Sequence, residues 1–222
     1  QGDLALRVGD ERFEQKSREQ EFSRLATEAQ LTALRAQINP HFLFNTLTTL
    51  GYLIQTAPEK AFATLMKLTT LLRRVLKSSG EFSTLGEEIE FVESYLEIEQ
   101  ARFEERLEIE IRVPDDLRKT RVPALVLQPL VENAIRHGVA PRLAGGHVDV
   151  TATRHGAVLN LHVRDNGVGL RAGWQFDRDA GIGLRNVASR LEHLYGRTDL
   201  LRVERVESGG VDVHLPLPLT TV

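Results

Sequence analysis

The sequence predicts an α+β protein: a helical hairpin that dimerises into a four-helix bundle, followed by an α/β sandwich with helices on one side of a single sheet. Three observations carry this. Apolar residues recur at helical spacing between Leu31 and Leu76, Thr84-Leu-Gly-Glu87 has the form of a capping box, and strand-like and helix-like segments alternate beyond it. The reading divides the chain into a linker at 1–30, a helical hairpin at 31–82 and an α/β domain at 83–222.

The linker, at about residues 7–30, mixes charges of both signs with sparse apolar positions at Phe13, Phe22 and Leu25. It reads as a solvated helix, with a two-stranded coiled coil as the competing reading. Leu31, Leu34 and Ile38 then form one apolar seam, and Leu43, Leu47, Leu50 and Ile54 another. The step of five between Ile38 and Leu43 rotates the stripe at Pro40, which lacks an amide hydrogen and clashes with the carbonyl of Ala36. At roughly 100° per residue His41 stands about 160° from Leu43, so it is expected to face away from that seam, with Asn45, Thr48 and Tyr52 on its side. Pro58 restarts the chain. Residues 59–79 are expected to be helical through Phe62, Leu65, Leu68/Leu72 and Val75/Leu76. One hairpin cannot cover both apolar faces, which predicts dimerisation.

The capping box opens a third helix at about 85–103. Leu107–Val113 alternates as a strand, Pro123–His137 reads as a mainly apolar helix, and His147–Thr153 and Ala157–Val163 read as paired strands. Leu184–Leu194 is a further helix, and Leu200–Val206 with Gly210–Leu215 a closing hairpin through Ser208-Gly209-Gly210.

The 222 residues are 41% hydrophobic and 27% charged, a composition that supports one large domain or two small ones. The absence of cysteine excludes disulfides, zinc–thiolate sites, iron–sulfur clusters and thiol nucleophiles. A net charge of −3 lacks the basic excess of a general nucleic-acid binder, and no run of apolar residues is long enough to span a bilayer. The chain starts at Gln1, so a fragment or a processed chain is expected.

Three segments carry the chemistry. In Leu130-Val-Glu-Asn-Ala-Ile-Arg-His-Gly138, an Asn inside an apolar helix is costly unless its amide is used. Asn133, Arg136 and His137 are spaced to meet a metal-bound polyphosphate: the amide oxygen is a hard ligand for Mg²⁺, and the two basic residues suit phosphate oxygens, with a satisfied core Asn beside two surface residues as the competing reading, favoured while the segment stands alone. Asp165-Asn-Gly-Val-Gly169 puts a carboxylate at a strand end, able to accept the exocyclic amine hydrogen of adenine, with Gly167 and Gly169 letting a base approach. An Asn-Gly hairpin turn is the competing reading. Gly181-Ile-Gly-Leu-Arg185 opens a helix, where free amides and Gly181, Gly183 and Leu184 suit the phosphate end of a nucleotide. Residues 170–180, with Gly173 and Trp174, read as a mobile lid. His147, His155, His162, His193 and His214 lack a ligand spacing and read as surface or pairing residues.

These segments resemble the N, G1 and G2 boxes of the GHKL ATPase superfamily, in order and spacing. Leu34-Arg-Ala-Gln-Ile-Asn-Pro-His-Phe-Leu-Phe-Asn45 closely resembles the phosphoacceptor segment of LytS-like bacterial sensor histidine kinases. Tyr95-Leu-Glu-Ile-Glu-Gln-Ala-Arg-Phe103 and Leu127-Gln-Pro-Leu-Val-Glu-Asn-Ala134 are similar to the same group, so the likeness spans about residues 31–215. The resemblance implies a GHKL (Bergerat-type) sandwich and an ATP-dependent protein-histidine kinase. In it His41 is autophosphorylated and passes the phosphoryl group to an aspartate of a response regulator. It implies Asn133 as the Mg²⁺ ligand, Asp165 as the adenine-binding residue, Gly167 and Gly169 as the G1 glycines, and Gly181 and Gly183 as those flanking the ATP lid. It further implies a homodimer, a cytoplasmic location for this segment, and a sensor or membrane anchor upstream.

Departures sharpen the expectation. Many histidine kinases carry an acid directly after the phosphoacceptor; Phe42 stands there, as in the LytS-like group, so the proton acceptor is unassigned, and Glu132 or a third-helix carboxylate such as Glu97 or Glu99 is only a guess at it. Asn45, four residues after His41, holds the position where others carry Thr or Asn for dephosphorylating the regulator. Gyrase-type clamps carry a Glu four residues before the box Asn, where this chain has Pro129, which argues against an ATP-hydrolysing clamp. A nucleotide-sensing module without phosphotransfer is disfavoured by the His41 segment, and serine kinases of the anti-sigma type lack the hairpin.

Overall fold

The computed structural model describes residues 40–77 and 80–219, with the backbone alone for Pro40, His41 and residues 74–77. The expectations for the linker, for the Leu31–Ile38 seam and for Val75/Leu76 therefore lie outside the described residues or side chains, as does the direction of the His41 imidazole. The chain divides into two compact units between Thr48 and Thr49, inside the first described helix.

That helix, α1, is Pro40–Thr56, and α2 is Pro58–Lys77. In the first unit Phe42 and Thr46 are buried one turn apart, with the Thr46 hydroxyl donating to the Phe42 carbonyl at 2.9 Å, while Phe44 and Leu47 are exposed. In the second unit α2 buries Ala61, Thr64, Leu68 and Leu71, and α2 is in contact with the third helix, α3 (Leu85–Phe103). The expected stripe through Phe62 and Leu65 is instead exposed, as is Ile54 of α1. α2 has apolar residues on more than one face, and only one of these faces meets α3 within a single chain.

The capping box forms as expected: Glu87 donates its N–H to Thr84 Oγ1 at 3.2 Å, and Glu87 Oε2 accepts the Thr84 N–H at 2.8 Å. Strands β1 (Phe82–Thr84) and β3 (Arg121–Pro123) pair antiparallel beside it. The main sheet contains β2 (Leu107–Arg112), β4 (Gly146–His155), β5 (Val158–Asp165), β6 (Arg202–Arg205) and β7 (Val211–Pro218), in the order β2-β4-β5-β7-β6. Only β2–β4 is parallel.

Alternation gives the sheet two unlike faces. Val148, Val150, Leu159, Leu161, Val163 and Leu215 are buried, together with Ile89, Val92 and Leu96 of α3 and with Leu130, Ile135, Val187 and Leu191 of later helical segments. The opposite face carries His147, Asp149, His162, Asp212 and His214. These histidines pair as expected: His162 Nδ1 lies 3.1 Å from Asp212, His214 Nε2 lies 2.9 Å from Asn160, and the two rings stack at 4.2 Å.

The remaining helices are α4 (Leu127–Asn133), continued by a π-helical stretch Ala134–Val139, then α5 (Phe176–Asp179) and α6 (Ile182–Tyr195). The expected helix at 123–137 thus starts four residues late. Pro123 ends β3, and Leu125 has a φ of 56°, a left-handed conformation incompatible with a continuing helix.

Candidate nucleotide site

The carboxyl end of β5, the α4–π segment and the amino end of α6 meet in the second unit. Asp165, the last residue of β5, is 4% exposed. Its Oδ1 accepts the Gly167 N–H at 2.8 Å. Burial pushes its pKa above the ordinary carboxylate value, against the pull of the Gly167 and Val211 N–H groups. The walls around it are backbone. A Cβ at Gly138 would overlap the Asp165 carboxylate, and one at Gly167 would overlap the Gly138 backbone. The Val168 N–H donates to the Gly138 carbonyl at 3.1 Å, which ties the glycine loop to the π segment.

The π turn explains how Gly138 reaches Asp165. The Ala140 N–H bonds to the Ile135 carbonyl five residues back, at 2.8 Å, a widened turn of the kind often found at functional sites. Asn133 stands half-exposed at the junction of α4 and the π stretch. A Cβ on Gly183 would lie 3.7 Å from Asn133 Nδ2, so the start of α6 lies beside Asn133. Gly181 is the N-cap of α6, has no side-chain cap, and would carry a Cβ into open space. Gly183 thus lies beside Asn133, while Gly138 and Gly167 lie beside Asp165, and the α4–π segment connects the two pairs. Arg136 and His137 are exposed on the π stretch; partial burial and the Arg136 charge hold the His137 pKa below its ordinary value. Leu184 is buried in the first turn of α6.

A family model described as "Histidine kinase" matches residues 29–107, and one described as "Histidine kinase-, DNA gyrase B-, and HSP90-like ATPase" matches residues 119–221. The sensor histidine kinase BtsS of Escherichia coli is 41% identical over 172 residues, 78% of this chain and 30% of the relative. The sensor protein LytS of Staphylococcus haemolyticus is 37% identical over 205 residues, 87% of this chain and 35% of the relative. The sensor histidine kinase/phosphatase LytS of Staphylococcus aureus is 34% identical, covering 84% of this chain and 34% of the relative. The chain belongs to the LytS-like histidine kinase family. It spans about a third of the length of these curated relatives. In fold it resembles the histidine kinase domain of a blue-light activated kinase from Erythrobacter litoralis, with a TM-score of 0.50 at 17% identity, covering 88% of this chain and 94% of that one.

In this LytS-like chain the other implied residues fall as follows. His41 lies in α1 of the first unit, with its side chain outside the described ones, and Asn45 is half-buried one turn on. The lid segment at 170–180 carries α5 and a carboxylate hub. Asp179 pairs with Arg171, with Arg178 at 3.0 Å and with the Gln175 N–H at 2.8 Å, which hold its pKa well below the usual range. Trp174 packs edge-on to Phe176 at 6.2 Å.

The candidate proton acceptors occupy different settings. Glu97 is exposed and paired with Lys67 at 2.8 Å, and Glu132 accepts from Gln128 Nε2 at 2.7 Å. Glu99 is buried, with Arg102 at 2.7 Å; burial first, and the Glu132 charge after it, push its pKa up to about 7 against the Arg102 charge. Tyr95, also buried on α3, has its hydroxyl pKa raised well above its ordinary value by burial and by Glu99 and Glu132.

Sequence reasoning passed over Gly138, Gly210 and Glu88. Gly210, at φ 93°, has no room for a Cβ against the Asp165 carbonyl. Its signal was the Gly-Gly pair, read only as a turn. Glu88 carries the ordinary signature of an acid in a first helical turn, and nothing local marks it out.

Proposed function

We propose that this chain is the kinase core of a two-component sensor, binding ATP between Asp165, Asn133 and the Gly181–Gly183 turn and transferring the γ-phosphoryl group to His41. The observation that carries the reading is the buried Asp165 carboxylate, walled by glycine backbone and set in the same site as Asn133. A carboxylate so placed accepts the adenine amine hydrogen and rejects bases that lack it. The amide of Asn133, half-exposed and beside the start of α6, suits a hard cation. Mg²⁺ held there would neutralise charge on the β- and γ-phosphates.

The transfer forms a bond from a ring nitrogen of His41 to the γ-phosphorus and breaks the bond to the β,γ-bridging oxygen, with ADP leaving. The attacking ring is the neutral imidazole, whose unprotonated nitrogen carries the lone pair, and the proton on its other nitrogen is given up to an acceptor or to solvent. The phosphoryl group then passes to an aspartate on a response regulator. Asn45, one turn after His41, assists removal of phosphate from that regulator, a role supported by the kinase/phosphatase name of the Staphylococcus aureus relative. Substituting Asn45 by Ala with no loss of regulator dephosphorylation rejects this role.

The active form is a homodimer. Exposed apolar side chains on α2 and at Phe44 and Leu47 of α1 support this. Among the described residues no helix is long and apolar enough to cross a membrane. The family resemblance supports a cytoplasmic location for this segment and a sensor or anchor upstream of it.

Incubation with γ-labelled Mg-ATP tests the reading. His41→Ala abolishes labelling and leaves nucleotide affinity within about twofold; a base-stable, acid-labile label identifies a phosphoramidate. Undiminished labelling of the variant, or ATP turnover to free phosphate with no labelled protein, overturns it.

A further inference from the structure

The helix that carries Asn133 has no cap of its own. Its N-cap, Val126, offers no side-chain acceptor, and the preceding Leu125 is held at φ 56°. The first N–H groups of such a helix need acceptors, and burial keeps water from supplying them. Val126 and Leu127 are fully buried. The acceptor comes from another helix: Glu88 of α3, itself 5% exposed. Glu88 Oε1 accepts the Leu125 N–H at 2.8 Å and the Ser83 hydroxyl at 2.7 Å, and Oε2 accepts the N–H groups of Val126 at 2.9 Å and Leu127 at 3.3 Å. A carboxylate in this position also interacts favourably with the helix dipole.

We propose that Glu88 is a positioning residue for the nucleotide site, fixing α4, and through it the amide of Asn133, to the position of α3. The inference rests on the reading of Asn133 as the metal ligand. From Leu127 to Asn133 the rise is about 9 Å at 1.5 Å per residue, with hydrogen-bonded helix between, so a displacement at the cap reaches Asn133 as a rigid-body shift. Asp165 belongs to the sheet, and Gly138, the part of the π continuation that walls it, is held to the glycine loop by the Val168 N–H, so the adenine end has its own ties to the sheet and depends less on this cap than Asn133 does. α3 also packs against α2, with Lys67 and Glu97 paired at 2.8 Å. The same carboxylate thus links a helix that touches the helical hairpin to the metal-binding end of the site.

The test compares this chain with its Glu88→Gln, Ser83→Ala and Asn133→Ala variants, and with the Glu88→Gln/Asn133→Ala pair. ATP affinity is measured by calorimetry with Mg²⁺ and with EDTA. Gln retains one acceptor oxygen but turns an NH₂ group toward backbone donors. Glu88→Gln is expected to weaken Mg-ATP binding about three- to tenfold, to leave affinity in EDTA within twofold, and to have no further effect once Asn133 is Ala. Ser83→Ala, which keeps the three backbone bonds, stays near wild type. Equal losses with and without Mg²⁺, or losses that add fully to those of Asn133→Ala, overturn the inference and leave Glu88 a purely structural cap. If Glu88→Gln does not fold, Glu88→Asp is judged by the same two criteria. An Asn133→Ala variant with unchanged Mg²⁺ dependence overturns the reading of the site instead, and is recognisable because it needs no Glu88 variant.

Discussion

Asp165 has one oxygen committed to the Gly167 N–H and its pKa raised by burial, so the surrounding backbone decides what it can bind. In Asp165→Asn the amide presents its NH₂ either to the Gly167 N–H or to the adenine amine, and one donor meets another in both orientations. Hydrogen bonds to charged groups contribute about 1.5–3 kcal/mol, so ATP affinity should fall roughly ten- to a hundredfold in a calorimetric titration. Unchanged affinity removes Asp165 from the adenine site. Gly138→Ala should produce a similar loss from the opposite direction, because a methyl group there overlaps the carboxylate. Guanidinium unfolding would show whether the variant also loses stability. These two residues mark the limit of what the sequence could reveal about the site. Asp165 and Asn133 were legible because a charged or amide group in an otherwise apolar segment needs a purpose. Gly138 was not, because its role arises from a strand 27 residues further along the chain.

Between elements, the contact of α3 with α4 combines a buried apolar layer with ionisable groups. Glu99 on α3 is held near a pKa of about 7, chiefly by burial and secondarily by the charge of Glu132 on α4. The folded state therefore binds a proton more tightly than the unfolded chain, whose Glu titrates near 4.5. Below about pH 4.5 this group's contribution is fully present, and stability is lost as pH rises through the window from about 4.5 to 7. The effect is on the order of 1 kcal/mol per pKa unit. Glu99→Gln should flatten that slope and raise stability at pH 8, measured by denaturant unfolding at pH 5, 6, 7 and 8; an unaltered slope removes Glu99 as its source. The helices themselves were largely legible: the capping box placed α3 from Leu85 to Phe103. The start of α4 was not, because apolar periodicity runs on through Ala124–Val126 while the Glu88 carboxylate, 37 residues away from Leu125, holds that segment in a turn. Periodicity on α2 identified a helix but not its buried side, since the sequence supplies apolar residues on more than one face and tertiary packing decides that the stripe from Ala61 to Leu71 is the buried one.

For the molecule as a whole, what α2 leaves uncovered bears on the active assembly. Phe62, Leu65 and Met66 are 67%, 46% and 50% exposed at spacings of three and one, clustered on a helix whose opposite stripe is buried. Fully burying side chains of this size is worth about 1.5–3 kcal/mol each, and in a symmetric dimer each copy would contribute its own set, a gain that works against the cost of association. Such a surface is also consistent with the division of labour in the proposed reaction, because Asp165 and Asn133, the residues proposed to hold the nucleotide, belong to the sheet and to α4, not to α2. Phe62→Glu combined with Leu65→Glu should therefore convert the protein to a monomer in sedimentation velocity while ATP affinity, read by the same titration used for Asp165→Asn, stays within about twofold. A variant that sediments as a dimer places the interface elsewhere, whereas a monomer that has lost ATP binding would mean that nucleotide recognition depends on the assembly and is not held by the sandwich alone.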